Sequence, residues 1–290
     1  MNPCFGAPDN RSSERGAVLV STLLILTLLV FVMASIAWLI VNRSSVIAME
    51  QDQVAVENLT MSGLETGVYR VMSLPIDRAV EGHDRVVLSQ GQVDIVWRGE
   101  NARMDLNTAP KHWIEALIKA VGSPSDDADA ITRDIVERRK EPTSKKLPST
   151  NTERQGPFAH PAELLSVNGM SPALYHRLAP FITLYSSWPS MDPRIASETL
   201  LSHLPEMTPV RLQTLQSIHR KSKEAANTVL EGLGVERSML AAERSLTTRF
   251  TVRVRLNNGL QRTSEIVAAI FPNDTEPYRI LYWSSDPNDP

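Results

Sequence analysis

With 290 residues, 42% of them hydrophobic and 22% charged, the chain can bury more than one modest core, which excludes a disordered polypeptide. A formal net charge of −3 and a pI near 6.1 provide no bulk attraction for nucleic acid or for an acidic surface. The single cysteine, Cys4, stands in an N-terminal segment expected to be removed, and Met1-Asn2-Pro3 before it are not a lipoprotein leader, so the core must hold by packing alone.

From Ala17 to Val41 no residue is charged. At about 1.5 Å of rise per residue this run crosses the roughly 30 Å of a bilayer core as a helix, and it exceeds the about 7 to 15 apolar residues of a cleaved signal peptide. Arg11 and Arg15 precede the run, whereas Arg43 stands alone beyond it. This bias holds the N-terminus in the cytoplasm and sends the rest outward. Apolar residues continue at helical spacing through Val46, Met49, Val54, Met61, Leu64, Val68, Val71 and Met72, with no proline before Pro75. One helix is expected from Ala17 to about Leu74.

The remainder reads as a mixed head. Residues 92–98 and 103–107 are predicted strands joined by a turn at Gly99-Glu100-Asn101. Residues 249–257 alternate Phe250, Val252, Val254 and Leu256 with polar residues, turn at Asn258-Gly259 and return over 262–271 as a hairpin; a last strand fits Tyr278 to Trp283. Between these pieces, residues 109–243 show helical spacing over 109–121, 125–139, 161–167, 172–178, 193–203 and 208–219, with Pro172 and Pro209 at helix starts. Residues 140–157 lack apolar periodicity and read as an exposed loop. A weak repeat runs through the block: Leu164-Leu165-Ser166, a turn and Met170-Ser171-Pro172 parallel Leu200-Leu201-Ser202, a longer turn and Met207-Thr208-Pro209. Gly169, Met170 and Met207 mark the two hairpin turns.

Several motifs share a resemblance. The junction Glu14-Arg15-Gly16-Ala17 resembles a class III prepilin leader, which implies peptidase cleavage after Gly16 and Ala17 as the first mature residue. The fifth mature position, a glutamate in most pilins, is Ser21 here. A buried terminal amine with no carboxylate is costly, so the departure points to a filament end. Ser62-Gly63-Leu64-Glu65-Thr66-Gly67, Asp105-Leu106-Asn107-Thr108-Ala109-Pro110, Asp129-Ala130-Ile131, and Glu163, Leu164, Val167, Gly169 and Met170 followed by Leu178-Ala179-Pro180 complete a pattern running from Arg15 to about Arg255. The pattern resembles the minor pseudopilin K family of type II secretion systems, which are type IV pilin-like proteins.

The resemblance implies an α+β fold: a long pilin-type helix, half transmembrane and half periplasmic, a small antiparallel sheet and a large inserted all-α domain of helix-hairpin-helix or SAM-like type. The expected division is a leader at 1–16, the helix at 17–74, the sheet part at 75–108 and 245–290, and the inserted domain at 109–244. It further implies a single-pass inner-membrane protein with a periplasmic head at the tip of the pseudopilus, nucleating its assembly for protein export. Implied partners are minor pseudopilins I and J, the major pseudopilin, the prepilin peptidase and the inner-membrane secretion platform. Family members bind calcium, but here Arg138-Arg139-Lys140 and Lys145-Lys146 follow the helix where carboxylates are needed, so no cofactor is expected. Asp126, Asp127 and Asp129 are the remaining cation candidates, and at a helix start they equally complement its dipole.

The rival reading is a membrane-anchored helix-hairpin-helix protein for DNA binding and uptake. Asn168-Gly169-Met170 and Pro205-Glu206-Met207 lack paired glycines and a basic stripe, so no nucleic acid is expected. Six histidines scattered without ligand spacing, and no nucleophile elbow or phosphate loop, leave no catalytic constellation.

Overall fold

The computed structural model describes residues 11–140, 156–186, 188–205, 207–219, 221–234 and 239–285, with side chains at 11–18, 37, 39–48 and 125 left aside. Cys4, Lys145, Lys146, Glu206 and most of the 140–157 loop lie outside the described residues. The chain divides into two compact units, Met1–Ala55 and Val56–Pro290.

Helix α1 spans Arg11–Met72, as the absence of proline between Pro8 and Pro75 allows. Its residues in the second unit present Leu59, Leu64, Val68 and Val71 as a buried stripe at spacings of three to five. The stripe meets a five-stranded antiparallel sheet, order β1-β2-β5-β6-β7, built from β1 (Glu81–Leu88), β2 (Gly91–Gly99), β5 (Thr247–Leu256), β6 (Gln261–Ile270) and β7 (Tyr278–Ser284). Period-two alternation aims Val93, Ile95 and Trp97 of β2 and Phe250, Val252 and Val254 of β5 at the helix. Burying each such side chain is worth about 1.5–3 kcal/mol. Arg244 fastens the end of α1, its Nη2 donating to the Val71 carbonyl at 2.7 Å and Nη1 to that of Leu74 at 3.2 Å. The β5–β6 turn matches the Asn-Gly signal, with Gly259 at φ +91°.

Everything between β2 and β5 is an insertion in this sheet. It holds β3 (Met104–Asp105), α2 (Lys111–Ala120), α3 (Ser125–Arg138), α4 (Pro172–Leu178), β4 (Ile182–Thr183), α5 (Glu198–Ser202), α6 (Pro209–Gln216) and α7 (Lys223–Gly232). Ser171, Ser197, Thr208 and Ser222 cap α4 to α7 by accepting the N–H of the third helical residue. One core, including Trp113, Ile114, Ile131, Leu164, Leu201 and Leu230, serves the whole block.

Four expectations need correction. Residues 103–107 are not the second arm of a hairpin with β2: a buried 3-10 turn at Glu100–Ala102 redirects the chain, and β3 pairs in parallel with β4, Met104 against Ile182. The helix expected over 161–167 is a 3-10 segment, Pro161–Ser166, capped by His160. The helix expected over 193–203 begins only at Glu198, because residues 192–196 fold back on the buried Asp192 carboxylate, which Arg194 holds through Nε and Nη2. Finally, β1, β4 and α7 were not anticipated.

Candidate functional site

The anchor is the first element of the site. Leu19–Ile36 within α1 is long and apolar enough to cross a membrane, and its large apolar side chains point outward. Its hydroxyls turn back on the helix: Thr22 and Thr27 donate to Leu19 and Leu24 carbonyls at 2.9 Å, and Ser35 to that of Phe31 at 2.8 Å. Such bonds let polar residues sit in hydrocarbon at little cost. Ser21 lies in the same exposed run, and Gly16 and Ala17 lie within α1.

The glycines of the Ser62–Gly67 stretch set how closely α1 approaches the sheet. A Cβ on Gly63 would lie 2.8 Å from Val93 Cγ1 and Val252 Cγ1, and one on Gly67 would lie 2.8 Å from two carbons of the Phe250 ring. The Leu106-Asn107 step has an equally concrete role. Asn107 Nδ2 donates to the Phe158 carbonyl at 3.0 Å and its Oδ1 accepts the Phe158 N–H at 2.8 Å, pinning the chain on the far side of the 141–155 segment. Asp105 Oδ1 accepts the Asn107 N–H at 2.9 Å and its Oδ2 accepts the Ser186 hydroxyl at 3.1 Å.

The two hairpins share one backbone hydrogen bond. In the first, the Met170 N–H donates to the Val167 carbonyl at 3.0 Å; in the second, the Met207 N–H donates to that of Leu204 at 3.3 Å. Gly169 adopts φ +84° and packs on Ile131, and Met170 is buried. The Asn168 N–H, which faces the turn, is taken by Asp134 Oδ2 at 2.8 Å. Arg133 pairs with Asp129, Arg138 with Glu163, and Lys140 with Glu137, while Arg139 Nη1 donates to the carbonyls of Leu106 and Ala109.

Asp126 and Asp127 occupy the first turn of α3. Asp129 is bridged by Lys111 Nζ at 3.0 Å and by Arg133, whose hydrogen bonds hold its carboxyl below the usual carboxylate range. Among the described residues no three His, Cys, Asp or Glu side chains converge as a metal site.

Sequence reasoning missed the buried charges. Arg249, only 12% exposed, donates Nε to Glu100 Oε1 at 2.6 Å and Nη1 to Glu265. These residues read as unremarkable polar positions, and only the folded register of β5 against β2 and β6 brings them together.

The head is thus a helix segment packed beneath an antiparallel sheet, enlarged by a helical block inserted between β2 and β5, and the first unit carries the apolar span. Residues 94–187 match the family model described as "Type II secretion system (T2SS), protein K", so this segment is similar to that family. Its fold is similar to that of a chain in the solved GspK-GspI-GspJ complex from the type 2 secretion system of enterotoxigenic Escherichia coli. The two are 16% identical with a TM-score of 0.57, over 81% of this chain and 98% of that one. No curated protein matches the sequence.

Proposed function

We propose that this type II secretion pseudopilin is the large minor subunit at the tip of the pseudopilus, where it nucleates assembly and so supports protein export across the outer membrane. The observation that carries the reading is the helical block inserted into a pilin-type sheet. A head enlarged in this way clashes if repeated at the close lateral spacing of a filament, whereas a tip accommodates one copy. Ser21 supports the same placement, since a subunit with no carboxylate there is poorly equipped to neutralise a neighbour's terminal amine.

The chain then sits once across the inner membrane, N-terminus cytoplasmic and head periplasmic, after the prepilin peptidase cuts between Gly16 and Ala17. The remaining divisions are the helix at 17–74, a sheet part at 75–108 and 245–290, and an inserted domain at 109–244. Its partners are minor pseudopilins I and J, as in the similar complex, followed by the major pseudopilin and the secretion platform. The role requires neither catalysis nor a cofactor. DNA binding is disfavoured because the Asn168 amide is occupied by Asp134 and Arg133, Arg138, Arg139 and Lys140 are each engaged within the head.

The test is co-purification of the full chain, in detergent, with co-expressed minor pseudopilins I and J. Recovery of a stable ternary complex is expected. Recovery of the chain alone, from cells that contain both partners, overturns the tip assignment.

A further inference from the structure

The sheet face turned away from α1 carries an arginine cluster that the proposed assembly leaves unused. Arg98 and Arg249 are direct partners across β2 and β5, an arrangement of like charges that ordinarily costs stability. Arg249 tolerates it because burial, which disfavours its charge, is outweighed by Glu100 and Glu265, so its pKa is raised. Arg98 forms no ion pair among the described residues. Arg103, just past the 3-10 turn, donates Nη1 to the Ala179 carbonyl at 3.2 Å and has no carboxylate partner among the described residues. Burial, and then the nearby Arg249, lower its pKa to about 10. Three guanidinium groups thus face two carboxylates.

These residues line a cavity of about 260 Å³ with Glu100, Ser197 and Thr251. The cavity also holds an acceptor without a donor among the described residues: Glu100 is fully buried, its Oε1 is bound by Arg249, and its Oε2 has no hydrogen-bond partner there. A buried carboxylate oxygen left in this state costs the full desolvation of the group. The surplus positive charge demands an anion, and the orphaned oxygen demands a donor.

We propose that this cavity binds a small oxyanion that also donates a hydrogen bond, of the class of hydrogen phosphate or a hydroxycarboxylate. Its oxygens accept from the forked donors of Arg98 and Arg103, and its own O–H donates to Glu100 Oε2. Arg98, Arg249 and Thr251 come from the sheet, whereas Ser197 comes from the inserted block, so the bound anion ties the two together. The site contains no residue of the anchor or of the hairpin turns and is independent of the tip reading.

The test uses the detergent-solubilised full chain, its thermal unfolding followed at pH 7 and constant ionic strength against phosphate, citrate, sulfate or acetate. A saturable rise in Tm with phosphate assigns the inorganic ion, and one with citrate alone assigns a hydroxycarboxylate. In either case sulfate and acetate, which lack a donor at this pH, bind at least about tenfold more weakly. Arg98→Gln, at an exposed position, weakens binding by about tenfold or more, and Arg103→Lys does likewise because an ammonium lacks the fork. Equal responses to sulfate and phosphate, responses that do not saturate, or affinities unchanged in Arg98→Gln overturn the proposal.

Discussion

Gly67 packs against Phe250 so closely that a single methyl group on the glycine would stand 2.8 Å from both Cδ1 and Cε1 of the ring. The helix is held at this distance by Gly63 as well, and behind Phe250 the sheet face is filled by Ile95 and Val252. The ring therefore has no open side to move into.

Gly67→Ala is expected to destabilise the head by about 1–3 kcal/mol, the usual cost of overpacking, despite the roughly 1 kcal/mol by which alanine favours a helix over glycine. Ser62→Ala, on the same turns, adds no atom against the sheet and serves as the control, losing only the hydroxyl that donates to the Asn58 carbonyl at 2.9 Å. Thermal unfolding in detergent micelles compares the two. A Gly67→Ala chain as stable as Ser62→Ala removes the close-approach argument.

That contact also shows what the sequence disclosed. The small-residue pattern at Ser62–Gly67 was visible, but its reason lies in a strand far along the chain. The β5–β6 hairpin was legible because alternation and Asn-Gly are local signals. β1 was not, because an edge strand written Glu81-Gly82-His83-Asp84-Arg85 carries charge where a central strand carries apolar residues. α7 buries only Ala226 and Leu230 of its ten residues, too thin a stripe to register as a period. The partnership of Arg249 with Glu100 and Glu265 depends wholly on strand register, and no spacing encodes it.

Gly169 and Gly232 predict opposite outcomes for the same substitution. Gly169 sits at φ +84° with a would-be Cβ 3.0 Å from Ile131 Cγ1, so Gly169→Ala combines left-handed strain with a tight contact and should cost about 1–2 kcal/mol. Gly232 ends α7 without positive φ and with nothing within 4 Å, so Gly232→Ala should gain up to about 1 kcal/mol. Denaturant unfolding of the two variants checks the signs. Destabilisation by both would mean that the α7 terminus is packed against something.

Two carboxylates on β1 and β2 give a pH dependence. A hydrogen bond from Arg70 lowers the pKa of Asp84, and one from Arg85 lowers that of Asp94. Because both are depressed in the folded state, their contribution is present above the ordinary aspartate pKa of 3.8 and is lost as pH falls through the folded-state pKa. Both pairs are partly exposed, so each is worth well under about 1 kcal/mol. The Asp84→Asn, Asp94→Asn double variant should be slightly less stable than the parent at pH 6 and should converge with it as pH falls through the lowered folded-state pKa values. A difference that instead grows on acidification contradicts the sign.

The leader makes the most direct prediction. Gly16 lies inside α1, which begins at Arg11, so a peptidase that cuts an extended backbone must first open this part of the helix. Glycine eases that opening by about 1 kcal/mol relative to alanine, a factor of about five in the open population, and leaves the bond without a side chain beside it. Gly16→Ala should therefore be processed about fivefold more slowly. Gly16→Val, whose branched side chain obstructs the approach as well, should remain uncut. Intact-mass measurement of the membrane-extracted chain reads the result directly: the parent should begin at Ala17 and the valine variant at Met1. A parent chain that still begins at Met1, or a valine variant processed at the parental rate, removes the prepilin reading and the membrane-anchored assembly built on it.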